Sequence, residues 1–259
     1  MLTKALESVK VFAANTPSPR ELLRGRRRVF DDVECVLPSR VAAGESLSAT
    51  VSLWDEYLRL QEDYSGSFTL ASTDPEASFP DRLAVGPTDD PVQELRGIAF
   101  QTPGIQYLTL TDGEGRRFVS NPVQVSAEEP DDRLYWGDIH LHSQFSDGAG
   151  TMTSGFEFGR DVMDLDVVAY TDHDTMGFFI PPKLQQRRMR RRYFDETREV
   201  TEAHNDPGEF VTLFGYEWTK QPNMGGHINV YFEEPQDAEL FDSLDPETNR
   251  YEKLWRALG

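Results

Sequence analysis

Cysteine is almost missing from this 259-residue chain: Cys35 stands alone, so no disulfide can close within it. Positive charge is scarce as well. Lysine occurs only at Lys4, Lys10, Lys183, Lys220 and Lys253, and the other basic residues are arginine. Against 45 acidic residues the 26 basic ones leave a net charge of −19, which disfavours nucleic acid as a partner. An acidic, lysine-poor surface fits a salt-tolerant host and equally a high-GC genome; neither bears on a reaction. Long apolar runs are missing too. No stretch reaches the roughly 18 apolar residues of a membrane span, so no membrane partner is expected. Met1 to Thr16 alternates apolar and polar residues and lacks the continuous apolar stretch of a signal peptide. With the single cysteine, this points to the cytoplasm.

What is present suffices for a core: 38% of residues are hydrophobic, over a length that suits two modest domains or one large one. Residues 1–28 read as a helical arm followed by a loop, broken at Thr16-Pro17-Ser18-Pro19. Residues 29–126 carry short period-2 runs, such as Leu47 to Leu53 and Ile105 to Leu110, separated by turn signals such as Asp112-Gly113-Glu114-Gly115. That pattern predicts an antiparallel, immunoglobulin-like β-sandwich. Ala127 to Arg133 is a charged linker. From residue 133 to 259 strands and helices alternate: strands at Leu134–Leu141, Val167–Thr171, Phe210–Tyr216 and Ile228–Phe232, and helices at Ser154–Met163 and Pro182–His204. This predicts an α/β architecture.

The chemistry-bearing residues collect at the ends of these strands. His140 and His142 are two apart on a strand and so share a face. Paired imidazoles suit zinc, manganese or iron; the bland alternative is a solvated strand face. Asp147 follows in a turn that Gly148 allows to fold back. His173 ends the second strand within Thr171-Asp172-His173-Asp174, where Asp172 and Asp174 read as carboxylates that orient a histidine ring. Glu217 ends the third strand. The stretch from Glu217 to His227 is too short for a parallel crossover, so the fourth strand returns as a hairpin and brings His227 back beside Glu217. His204 ends the long helix and is left out. Glu217 and Asp172 are the candidate catalytic carboxylates. Arg187, Arg188, Arg190, Arg191 and Arg192 read either as an attractor for substrate phosphate or as a solvated helix face.

Tyr135 to Gly148, with Asp138-Ile139-His140-Leu141-His142 and Ser146-Asp147-Gly148, followed by Tyr170 to Asp174, resembles the PHP (polymerase and histidinol phosphatase) superfamily. Gly215-Tyr216-Glu217-Trp218-Thr219 and Gly225 to Phe232 resemble, more narrowly, its DUF3604 branch. The resemblance implies the N-terminal part of a distorted (β/α)7 barrel over residues 133–259, with two or three divalent ions (Zn, Mn or Fe). It assigns His140 and His142 to one metal, Glu217 as a bridge to a second shared with His227, and Asp147 with His173 to a third. No terminal Asp-x-His precedes Gly259, so the expectation is a barrel lacking its C-terminal part, whose exposed edges favour self-association. The expected function is hydrolysis of a small-molecule substrate, a phosphoester, by metal-activated water. The rivals are an amidohydrolase-like metal hydrolase and a noncatalytic chain whose sandwich binds a partner or glycan.

Overall fold

A computed structural model of the chain describes residues 29–177, 180–221 and 226–259; the expected N-terminal arm lies outside them. The chain divides into two compact units between Leu134 and Tyr135. No helix among the described residues is long and apolar enough to cross a membrane.

The first unit is a β-sandwich. One sheet has the order β1-β3-β6, from Phe30–Val36, Leu47–Asp55 and Val92–Ile98. A second has the order β5-β4-β8-β9, from Arg82–Val85, Gly66–Ser72, Leu108–Thr111 and Arg117–Val119. A small third sheet joins β2 (Arg40–Ala42), β10 (Val123–Ser126) and β7 (Gly104–Gln106). Strand alternation supplies one shared core: Val33 and Cys35 of β1 and Val51 and Leu53 of β3 meet Phe68 of β4 and Leu108 and Leu110 of β8. Each such fully buried Val, Leu or Phe contributes about 1.5–3 kcal/mol. Burial pushes the Cys35 thiol up to about 12, so it serves as a small apolar side chain.

Asp74 fastens two loops of this unit. Its carboxylate accepts from the backbone N–H groups of Glu76 (3.0 Å), Gln101 (2.6 Å) and Thr102 (2.9 Å) and from Thr102 Oγ1 (2.7 Å). Burial works to raise its pKa, and these donors outweigh burial and hold it at about 2. A carboxyl depressed in the folded state stabilises fully above its unfolded value near 4 and loses that contribution as pH falls through about 2. Asp74→Ala is therefore expected to lower the stability of the sandwich by about 1–2 kcal/mol at neutral pH, with the deficit vanishing in acid. Urea melts at pH 7 and pH 2 check this; an equal deficit at both would contradict it.

The second unit holds one four-stranded sheet in the order β11-β12-β13-β14, from Gly137–Leu141, Val167–Tyr170, Val211–Thr219 and His227–Phe232. β11, β12 and β13 are parallel, and β14 runs antiparallel to β13 with Thr219 opposite His227 and Glu217 opposite Asn229. Helix α1 (Met152–Asp161) starts where Thr151 Oγ1 accepts from Ser154 N–H, and buries Met152 and Phe156 against Val168 and Tyr170. The long helical segment is α2 (Pro182–Arg188), a π-helical turn (Met189–Tyr193) and α3 (Phe194–His204). With α4 (Tyr251–Leu258) it covers the same face of the sheet along β13, where Phe214, Tyr216 and Trp218 are fully buried beside Phe194 and Leu254, and Phe156 of α1 stacks on His204.

The expected (β/α)7 barrel portion is not what forms. Among the described residues strand outweighs helix, the sheets are small, and the second unit is an open sheet with no barrel curvature closed around it. The physical reason lies between Thr219 and His227. That connection has no room for a crossover helix, so β14 turns back antiparallel and the β/α alternation stops there.

Candidate metal centre

The carboxyl ends of β11, β12 and β13 meet the start of β14, and each strand delivers a ligand-type side chain to that edge. Period-2 alternation explains the delivery from β13: Phe214, Tyr216 and Trp218 face the helices, which leaves Glu217 and Thr219 on the opposite face. Gly148 lets the loop after β11 fold over the strand end. A Cβ at Gly148 would lie 2.0 Å from the His142 carbonyl oxygen, so only glycine permits that approach.

Glu217 is the hub. Its Oε2 lies 3.0 Å from His142 Nε2, 3.1 Å from His173 Nδ1 and 3.9 Å from His140 Nε2, and its Oε1 lies 2.8 Å from His227 Nδ1. Asp147 stands on the other side, 3.0 Å from His142 Nδ1 and 3.7 Å from His173 Nε2. Three triads result, His140/His142/Glu217, His142/Asp147/His173 and His173/Glu217/His227, each with its ligand atoms within 4.8 Å of one another. All six residues expected as metal ligands are thus brought together. His204 stays apart, bonded to the Val200 carbonyl (2.7 Å) and stacked on Phe156.

Charge and burial compete in this cluster. Burial works to raise the Glu217 carboxyl, and the imidazoles of His142, His173 and His227 outweigh it, so its pKa falls below the usual carboxylate value. Burial works to lower His142, and Glu217 with Asp147 outweighs it, so His142 is raised. His173 is held down to about 4, chiefly by burial, with the His142 and His227 rings adding to the shift against the pull of Glu217 and Asp147.

Sequence reasoning missed the residues that fix the rings. Thr171 Oγ1 (2.7 Å) and Asn229 Nδ2 (2.9 Å) both meet His140 Nδ1, which leaves Nε2 as the ring atom toward Glu217. Thr219 Oγ1 meets His173 Nδ1 at 2.8 Å, and Ser146 Oγ meets His142 Nδ1 at 3.2 Å. The available signal was period 2: Thr219 shares the face of Glu217, and Asn229 shares that of His227.

Asp172 does not face the imidazoles. It is buried beneath the 143–148 loop, where it accepts from Ser143 N–H (2.9 Å), Ser143 Oγ (2.7 Å) and Ser146 Oγ. It reaches His142 only through Ser146. Asp174, also buried, takes the backbone N–H groups of Thr219 (2.9 Å) and Ser243 (2.6 Å) and fastens the 242–249 segment to the rim.

The donor set fits a divalent cation. Imidazole nitrogens and carboxylate oxygens are the ligands of zinc, manganese and iron. Glu217 Oε2 is shut off from solvent and accepts no well-aligned hydrogen bond, although two imidazole nitrogens stand about it. A buried carboxylate oxygen in that condition is costly unless a cation shares it.

A mixed sheet with a cluster of histidines and carboxylates at its strand ends that could hold a metal ion is the class of site this unit carries. Residues 159–259 match a family described as protein of unknown function (DUF3604), a stretch that includes His173, Glu217 and His227. No curated protein matches the chain. Among solved structures, domains 4 and 5 of the S-layer protein SbsC are similar at 18% identity and a TM-score of 0.29, over 39% of this chain and 54% of that one. A superoxide reductase (neelaredoxin) from Ignicoccus hospitalis is similar at 13% identity and a TM-score of 0.28, over 38% of this chain and 82% of that one. A CARDB domain from Pyrococcus furiosus, solved with di-metal ions, is similar at 14% identity and a TM-score of 0.28, over 38% and 89% of the two chains. These scores are too low to bear on fold or function.

Proposed function

We propose that the chain is a metal-dependent hydrolase acting on a phosphoester through a multinuclear centre. The observation that carries the reading is the sharing of His142, His173 and Glu217 among three ligand triads. Shared ligands suit ions held close together, as in two-metal phosphoester chemistry. The order of the motifs, His140-Leu141-His142, Asp147-Gly148, Thr171-Asp172-His173 and Glu217 to His227, is that of PHP-type proteins and supports the same reading.

In this reading His140, His142 and Glu217 hold one ion, His173, Glu217 and His227 a second, and His142, Asp147 and His173 complete a third position. The chemistry that divalent ions supply in such a nest is acidification of a water and polarisation of a phosphoryl oxygen. Thr171, Asn229, Ser146 and Thr219 hold the rings in orientation, so the nest needs little rearrangement to take up its ions. Glu217, ionised beside the imidazoles, could take up a proton from a water brought into the nest. Asp172 keeps Asp147 in range by securing the loop that carries it.

Hydrolysis of bis(p-nitrophenyl) phosphate and p-nitrophenyl phosphate with added Mn²⁺ or Zn²⁺ tests the reading. Turnover that EDTA abolishes, and that His142→Ala reduces at least a hundredfold, is expected. Cleavage of an anilide with no phosphoester cleavage, or turnover indifferent to both EDTA and His142→Ala, would sink it.

A further inference from the structure

Five arginines fall within Arg187–Arg192 of a chain whose net charge is −19, and they do not share one fate. Arg190 is drawn inward to Asp242 and Asp245 (2.9 Å to the latter), and Arg192 pairs with Glu196 at 2.6 Å. Arg187, Arg188 and Arg191 face no carboxylate among the described residues.

The π-helical turn gives them a shape. In a regular α-helix residues five apart point about 140° away from each other. The wider turn at Met189–Tyr193 brings Tyr193 back beside Arg188, whose guanidinium bonds the Tyr193 hydroxyl (3.1 Å from Nε) and lies over the ring at 4.6 Å. Arg188 Nη1 also donates to Gln185 Oε1 at 3.3 Å, so the fork is held in place before any ligand arrives. Arg187, Arg188, Arg191, Arg192 and Tyr193 together line an open cavity of about 290 Å³.

That cavity is tied to the metal centre. Gln185, fully buried, donates to the Phe145 carbonyl (2.8 Å) and to the His173 carbonyl (3.2 Å). Tyr193 stacks on Phe145 with ring centroids 4.3 Å apart. Phe145 belongs to the loop that carries Asp147, and His173 is itself one of the clustered imidazoles. The helical segment that carries the cations is therefore fastened to the loop that bears Asp147 and to the backbone of His173.

We propose that this arginine cavity is an oxyanion subsite that grips a phosphate group of the ligand while a second group lies at the metal centre. Guanidinium forks match the geometry of phosphate oxygens, and in a field this negative only such a local cluster can hold an anion. Describing the bound molecule as a substrate rests on the hydrolase reading; the anion site does not.

Isothermal titration of inorganic phosphate into the full chain, in EDTA at fixed ionic strength, separates the two. One saturable site is expected. Arg188→Gln should weaken it about tenfold, and so should the double variant Arg187→Gln/Arg191→Gln, whose exposed side chains have no structural partner to lose. Arg117→Gln, on β9 of the sandwich, should change nothing. His142→Ala should leave phosphate binding intact, so a failed metal reading would not be mistaken for a failed anion site. Absence of saturable binding, equal affinity in the arginine variants, or binding of heparin alone with steep salt dependence would overturn the proposal.

Discussion

Glutamine in place of Glu217 is expected to empty the metal centre. Glu217 belongs to two of the three triads and touches His142, His173 and His227 at 2.8–3.1 Å. Glutamine has nearly the same shape, so the strand and its packing against Phe194 and Leu254 should survive. The negative charge that balances the imidazoles, and that the proposed ions would share, would be gone. Losing several kcal/mol of charge stabilisation corresponds to a rate decrease of about 10³-fold or more. Bound metal should drop below one ion per chain. In EDTA the variant should melt modestly lower than the parent at neutral pH, because a carboxyl that the imidazoles hold below its usual pKa stabilises the fold there. Metal content equal to that of the parent would contradict the hub role.

Alanine in place of Asp172 should fail differently. Its carboxylate satisfies three donors, and at 1% exposure water cannot substitute for it. Orphaning them costs roughly 1–3 kcal/mol each, so a loss of about 3 kcal/mol for the second unit is expected. Ser146 then no longer steadies His142, and the loop bearing Asp147 comes loose. Metal affinity should weaken about 10–100-fold, in line with the loss of a supporting hydrogen-bond partner. The contrast is diagnostic: Glu217→Gln empties the centre with a modest loss of stability, whereas Asp172→Ala weakens metal binding and lowers the melting temperature in EDTA by more. A metal-free Asp172→Ala protein as stable as the parent would remove Asp172 from the loop-securing role.

These two carboxylates also mark where sequence reading succeeds and where it stops. The gathering of His140, His142, His173, Glu217 and His227 was legible because it depends on local rules: strand period 2, sites at parallel strand ends, and a connection too short for a crossover. Asp172 was misjudged as a ring-orienting carboxylate by its adjacency to His173. Neighbours on an extended chain point to opposite faces, and this sends Asp172 under the loop while His173 enters the cluster. The sandwich alternation was readable for the same local reason as the histidines. Closure of a barrel was not, because it depends on strand number and stagger across the whole sheet. The π-helical turn also left no trace in a run of charged residues, so Arg187 to Arg192 read as one group, a phosphate attractor or a solvated helix face, whereas Arg190 turns inward and Arg188 meets Tyr193.

The most direct test of the central claim is the metal stoichiometry of the purified full chain, measured by inductively coupled plasma mass spectrometry after equilibration with Mn²⁺ or Zn²⁺ and removal of free ion. Two or three ions per chain, falling below one in Glu217→Gln, are expected. A chain that retains no ion, or retains the same number without Glu217, would contradict the account.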